Sequence, residues 1–315
     1  MEYFQIIFKQ LLVFIVYVLI GVIAVWKKVI GEKDLKVISN IVIKITMPVM
    51  LFYNTLTGAS REQFVYTIPI LLLAAVMFFC LYLLGLGMAK GFQIDGDKAK
   101  VYRATTMFGN VGFMGIPIMV AMFPEKGMLY IALFTVVDQM LLWTLGTELT
   151  TPEKSVNKVH SRGERMKKMI NPSTAAIILA LIGIMLDWKL PSVMDTALEK
   201  TGNITSPLAM IYLGGLFCFT DIAGSVKQKE FYGAVLIKML LFPICFYQLI
   251  GFLPGIRYEM RLAISVLSAM PSMSSVSMLA ESQGSEGEYS AKEVFLTTLF
   301  SAITLPVVVF IVSVC

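Results

Sequence analysis

A chain of 315 residues that is 57% hydrophobic and 15% charged, with a mean hydropathy of +0.78, lacks the balance of a soluble domain and belongs in a bilayer. Its net charge of +5 does not interleave with aromatics along one face, so no nucleic-acid partner is indicated. One histidine and four cysteines, without ligand spacing, exclude a zinc or disulfide framework.

Ten stretches approach the ~20 apolar residues needed to cross a hydrocarbon core. In chain order they fall near residues 4–26, 36–57, 65–89, 101–123, 127–149, 171–189, 204–222, 231–252, 258–281 and 292–313. The first has no small-residue cleavage site and reads as a permanent helix, not a removed signal. Alternate loops then carry very different charge. With the N-terminus outside, seventeen basic residues lie on the inner side and six on the outer. That bias predicts both termini outside a cell membrane by the positive-inside rule. The densest basic loop, residues 151–170, holds the lone histidine, His160. It separates a first five-helix unit (1–150) from a second (171–315). Five is odd, so the second unit must run in the opposite sense across the membrane.

The fourth stretch is interrupted. Thr106-Met-Phe-Gly-Asn-Val-Gly-Phe-Met-Gly-Ile-Pro117 places Gly109, Gly112 and Gly115 three apart, with Asn110 among them and Pro117 closing the run. Lipid cannot satisfy the backbone groups such a break releases, so it must face protein or a wet cavity. The ninth stretch breaks at Ser268-Ala-Met-Pro-Ser-Met-Ser-Ser275. Other echoes link the two units: Asn40 to Pro48 with Asn203 to Pro207, Arg61-Glu-Gln-Phe64 with Lys229-Glu-Phe-Tyr232, and Leu133-Phe-Thr135 with Leu299-Phe-Ser301. The pattern predicts an all-α membrane protein of ten helices in a 5+5 inverted repeat, with broken, crossing helices four and nine. That is the layout of a secondary transporter with its substrate near the midplane. Uncapped N–H groups and the positive dipole end at the start of each second half-helix would hold an anion. Pro117 and Pro271 are expected in the first turns of those halves, where a missing N–H costs nothing. Gly109, Gly112 and Gly115 would let the backbones approach. Asn110, Ser272, Ser274 and Ser275 would supply hydrogen bonds, with Ile116 and Met270 beside them.

Gly109-Asn-Val-Gly-Phe-Met-Gly-Ile-Pro117 resembles the signature of the auxin efflux carrier family, whose bacterial members include proteins assigned as malonate and malate permeases. Asn40 through Phe52 resembles that family's second helix, and Ala269-Met-Pro-Ser272 followed by Met278-Leu-Ala-Glu281 its ninth. The resemblance covers essentially the whole chain. It implies crossing fourth and ninth helices, and a scaffold of helices 1, 2, 6 and 7 that pairs as a homodimer while the others form a mobile transport domain. The family asparagine that contacts substrate in plant members maps onto Asn110, and its prolines onto Pro117 and Pro271. The short central loop and the serine- and methionine-rich ninth break depart from the plant pattern, so a bacterial small-organic-anion permease is the better match.

Charges within spans are expensive and mark function by default. Asp138, beside Gln139, is read as a proton-carrying group or the partner of a cation, with a structural acid held by hydroxyls as the alternative. Lys44 is either a counter-charge for the anion or a snorkelling side chain. Lys238 is expected to snorkel to the inner headgroups, and Lys9 to the outer ones. The functional expectation is alternating access for a small organic anion such as malonate, malate or an auxin-like carboxylate. An anion channel, or a receptor-like transceptor sharing the fold, is the alternative. No enzyme motif, metal site or organic cofactor is indicated; protons, sodium or no ion at all could drive transport.

Overall fold

The computed structural model describes residues 2–58, 67–153 and 172–314. Most of the basic central loop, His160 and the Arg61–Phe64 echo lie outside the described residues. The described chain is helical throughout. In order it forms α1 (Tyr3–Trp26), α2 (Glu32–Thr57), α3 (Pro69–Gly91), α4 (Gly96–Met107), α5 (Val111–Met122), α6 (Gly127–Leu149) and α7 (Pro172–Met185). There follow α8 (Ser192–Phe219), a short α9 (Ile222–Lys227), α10 (Lys229–Gly251), α11 (Tyr258–Ser268), α12 (Ser274–Ser282) and α13 (Gly287–Val314). Seven of these, α1, α2, α3, α6, α8, α10 and α13, are long and apolar enough to cross a membrane.

The other three expected spans fall short for identifiable reasons. The fourth and ninth are cut in two, at residues 108–110 and 269–273. The sixth, α7, has 14 described residues, or about 21 Å of helix at 1.5 Å per residue. Elsewhere the main difference from the sequence reading is helix length beyond the apolar window. α8 begins at Ser192 and α13 at Gly287, so both carry polar turns into the helix.

Proline explains most of the local irregularity. A ring inside a helix removes one N–H and crowds the carbonyl four residues back; widening the turn to an i→i+5 pattern accommodates it. Wide turns occur at Val42–Thr46, Val111–Gly115 and Ala234–Leu241, and each runs directly into a proline two residues on: Pro48, Pro117 and Pro243. The fourth wide turn, Leu142–Gly146, has no proline, and nothing in its surroundings accounts for it.

Helix α1 packs on α8, and α2 on α7 and the first half of α8. Small residues make the first of these contacts close, as is usual where lipid offers no hydrophobic driving force. A Cβ placed on Gly21 would lie 2.1 Å from the Ile211 carbonyl oxygen, and one on Gly214 2.0 Å from that of Val18. Helix α3 packs on α4 and α6, α10 on α11 and α13, and α12 on α13. Two arginines pin the interrupted helices to their neighbours. Arg103 of α4 lies over the Tyr82 ring of α3 at 5.1 Å, and Arg261 of α11 over the Tyr247 ring of α10 at 4.3 Å.

Candidate functional site

The two breaks touch. Gly109 and Ser272 form an antiparallel bridge, the only β pairing among the described residues. The Asn110 N–H donates to the Pro271 carbonyl (2.7 Å), and the Met273 N–H to the Phe108 carbonyl (3.0 Å). Backbone groups that neither half-helix can satisfy are thus satisfied across the gap, which is how irregular backbone survives away from water. Gly109 makes the approach possible: a Cβ there would sit 3.0 Å from the Met270 Cβ.

On one side of this bridge lies a cavity of about 980 Å³, at the upper end of the range for small-molecule sites. Asn110, Val111, Gly112 and Phe113 line it from the start of α5, and Met273, Ser275 and Met278 from the second break and α12. The first N–H groups of a helix have no intrahelical acceptor; that of Val111 is taken by the Gly109 carbonyl (2.7 Å), and those that follow make the wall formed by the start of α5 electropositive. The Asn110 side chain is 2% exposed and its Nδ2 has no hydrogen-bond partner. Opposite polar groups come from α6. Trp143 Nε1 donates to Gln139 Oε1 (3.3 Å), and Gln139 Nε2 donates to Asp138 Oδ2 (3.0 Å). Asp138 Oδ1 is buried without a partner. From α2 the cavity takes Lys36, Asn40 and Lys44, the two lysines being exposed. Ser39 Oγ donates to Met278 Sδ (3.3 Å) and joins α2 to α12.

Of the residues singled out by sequence, Asn110, Gly112, Ser275, Asp138 and Lys44 are brought to this cavity. The rest are placed differently. Pro271 is not in a first turn. It sits in the extended break, three residues before α12, where its carbonyl takes the Asn110 N–H. Pro117 lies six residues into α5, behind the Val111–Gly115 wide turn. The break is therefore at Phe108–Asn110, because glycine and the cross-gap hydrogen bonds fix it there. Gly115 and Ile116 pack inward, a Cβ on Gly115 meeting Val111 Cγ1 at 3.0 Å. Ser274 is buried with its Oγ unpartnered, away from the cavity wall.

Ser272, Met270 and Lys238 belong to a second, fully buried polar cluster. Lys238 does not snorkel. It is 0% exposed, and its ammonium donates to the Met270 carbonyl. Ser272 Oγ donates to Glu293 Oε1 (3.4 Å), and Thr105 Oγ1 of α4 to Glu293 Oε2 (2.5 Å). The Ser272 N–H donates to Thr297 Oγ1 (3.2 Å). Glu293, also 0% exposed, falls within the tenth apolar stretch but is not among the charges singled out from the sequence. A signal was present: Glu293, Thr297 and Ser301 recur every four residues, a polar stripe on one helix face.

Residues 6–309 match the family described as membrane transport protein. The chain belongs to that family, the auxin efflux carriers. It is 27% identical over 308 residues to an uncharacterized transporter of Methanocaldococcus jannaschii, covering 93% of this chain and 95% of that protein. It is 23% identical over 304 residues to an uncharacterized transporter of Methanothermobacter thermautotrophicus, covering 93% and 94%. A multi-pass membrane protein that transports is therefore the established frame, and family members of this kind are generally not enzymes.

Proposed function

We propose that this member of the family is a secondary transporter of small organic anions, binding one carboxylate in the cavity where the two interrupted segments meet. The observation that carries the reading is Asn110: a buried amide donor without a protein acceptor, at the wall of a cavity large enough for a small molecule. A polar group left unpaired in a buried site costs about 1–3 kcal/mol, and a bound carboxylate would remove that cost. The N–H groups at the start of α5 add donors, and Lys44 adds positive charge from α2. Asp138, relayed through Gln139 to Trp143, is the candidate for a coupling proton.

The architecture fits the same reading. We take α4–α5 and α11–α12 as the crossing fourth and ninth helices of a ten-helix, 5+5 inverted repeat. The paired Tyr82–Arg103 and Tyr247–Arg261 contacts, each joining an interrupted segment to the helix before it, support that symmetry. On this reading the chain sits in a cell membrane with both termini outside. Helices α1, α2, α7 and α8 form a scaffold that pairs as a homodimer, and the remainder moves in alternating access. Malonate and malate are the first substrates to try. Uptake of either, radiolabelled, into proteoliposomes tests the proposal. A carrier saturates with substrate and exchanges internal for external anion. Flux that rises linearly without saturation would indicate a pore instead, and absence of uptake across a panel of mono- and dicarboxylates would remove the anion assignment.

A further inference from the structure

The buried cluster on the far side of the bridge is not part of the anion cavity, yet it is built from the same two breaks. Its donors and acceptors come from three helices and the second break. Lys238 projects from the wide Ala234–Leu241 stretch of α10 to the Met270 carbonyl, just past the end of α11. Carbonyls at a helix C-terminus have no intrahelical donor and sit at the negative end of the dipole. Glu293 and Thr297 approach from α13, Thr105 from α4, and Ser272 from the second break. The ammonium thus rests on one backbone carbonyl, and at the adjoining Ser272 the Ser272 and Thr105 hydroxyls converge on the Glu293 carboxylate, an oxygen-only set. Oxygen-only sets with a carboxylate are what hard cations take. Glu293 is the opposite charge acting on Lys238, and Glu230 is the further carboxylate that acts on Glu293. Glu230 itself accepts from the Tyr289 hydroxyl (3.1 Å).

We propose that this pocket is a cation site occupied from within, the Lys238 ammonium taking the place that a free coupling cation would otherwise fill between Glu293 and the carbonyl end of α11. The tethered ammonium holds the second break against α4 and α13, and so keeps Pro271 and Met273 where they pair with Asn110 and Phe108. Lys238 and Glu293 are positioning residues in this account. Wild-type protein needs no sodium to assemble the bridge, because its cation is covalently attached. Shortening the lysine empties the site and leaves Glu293 with its oxygen partners, so a small free cation can enter.

The test uses the full-length purified protein and its melting temperature at constant ionic strength in sodium, methylammonium or choline chloride. Wild type is expected to melt at one temperature in all three. Lys238→Ala is expected to melt higher in sodium or methylammonium than in choline. With a Kd on the order of 10 mM, about 100 mM cation favours the folded state roughly tenfold, a shift of about 2–4 °C. Lys238→Ala/Glu293→Gln should lose that selectivity. A Lys238→Ala variant indifferent to the cation, or a wild type stabilised by sodium through Glu293, overturns the proposal. Should Lys238→Ala not fold, the decision passes to Glu293→Gln and Lys238→Met/Glu293→Gln. A lone buried ammonium is penalised where a neutral pair is not, so the double variant should recover folded, monodisperse protein that the single loses. A double variant no better than the single would equally overturn it. No substrate enters these measurements, so their outcome is separate from the anion-transport reading.

Discussion

Asn110→Ala separates binding from folding, because the structure gives its side chain little to do in the protein alone. The backbone roles remain in the variant: the residue-110 N–H still reaches the Pro271 carbonyl, and its carbonyl still accepts from Met114 and Gly115 (3.1 and 3.3 Å). What disappears is an amide whose Nδ2 is buried and unpartnered. Removing an unsatisfied donor recovers part of a cost of about 1–3 kcal/mol, and the vacated volume opens into an existing cavity, not a new void. The variant should therefore melt at or slightly above the wild-type temperature. Its affinity for the anion should fall, since a hydrogen bond to a charged group is worth about 1.5–3 kcal/mol, which is roughly 10- to 150-fold in Kd. Isothermal titration of purified protein with the transported acid reads the affinity, and a melting curve reads the fold. Unchanged affinity would take Asn110 out of the binding site. A fall of many degrees in melting temperature would show instead that the side chain holds the bridge together.

Glycine substitutions test the packing. Gly214→Ala drives a Cβ to within 2.0 Å of the Val18 carbonyl, so the α1–α8 contact must open at about 1–3 kcal/mol; Gly87→Ala, with nothing within 4 Å of its Cβ, should stabilise by about 0.5–1 kcal/mol, and paired melting curves distinguish the two. Asp138→Asn should flatten the pH dependence of uptake if the proton travels on that carboxyl, whereas an unaltered profile would make it a structural acid. Outside the membrane segments, Asp221 accepts the Gly224 N–H (3.0 Å) and pairs with Lys292 (3.3 Å), and these hold its carboxyl below the ordinary 3.8. A depressed acid stabilises above its unfolded value and loses that contribution as pH falls through its folded one. Asp221→Asn should therefore remove part of the acid-induced loss of stability below about pH 4, read as melting temperature against pH.

The all-helical, membrane-spanning character was legible because hydrocarbon length imposes a run of apolar residues that few soluble helices share; of the ten expected spans, seven are helices of membrane length among the described residues. The two interruptions were legible because glycine, asparagine and proline are costly in lipid without a purpose. The position of each break was less so. Proline suggested Pro117 and Pro271 as helix starts, but a wide turn absorbs the first and an extended bridge holds the second; neither device is written in single-residue preference. Asn110 could be placed at the cavity from its neighbours alone. The fate of Ser272 could not, since adjacent residues of an extended segment point to opposite sides: Met273 faces the cavity and Ser272 the buried cluster. Lys238 and Glu293 come from helices distant in sequence, and only tertiary packing shows them sharing one oxygen-rich pocket.

The most direct measurement is an experimental structure with malonate or malate bound. The account predicts the carboxylate within hydrogen-bonding distance of Asn110 Nδ2 and the first N–H groups of α5, between the two interrupted segments. An anion bound elsewhere, with Asn110 facing only protein or lipid, would contradict it.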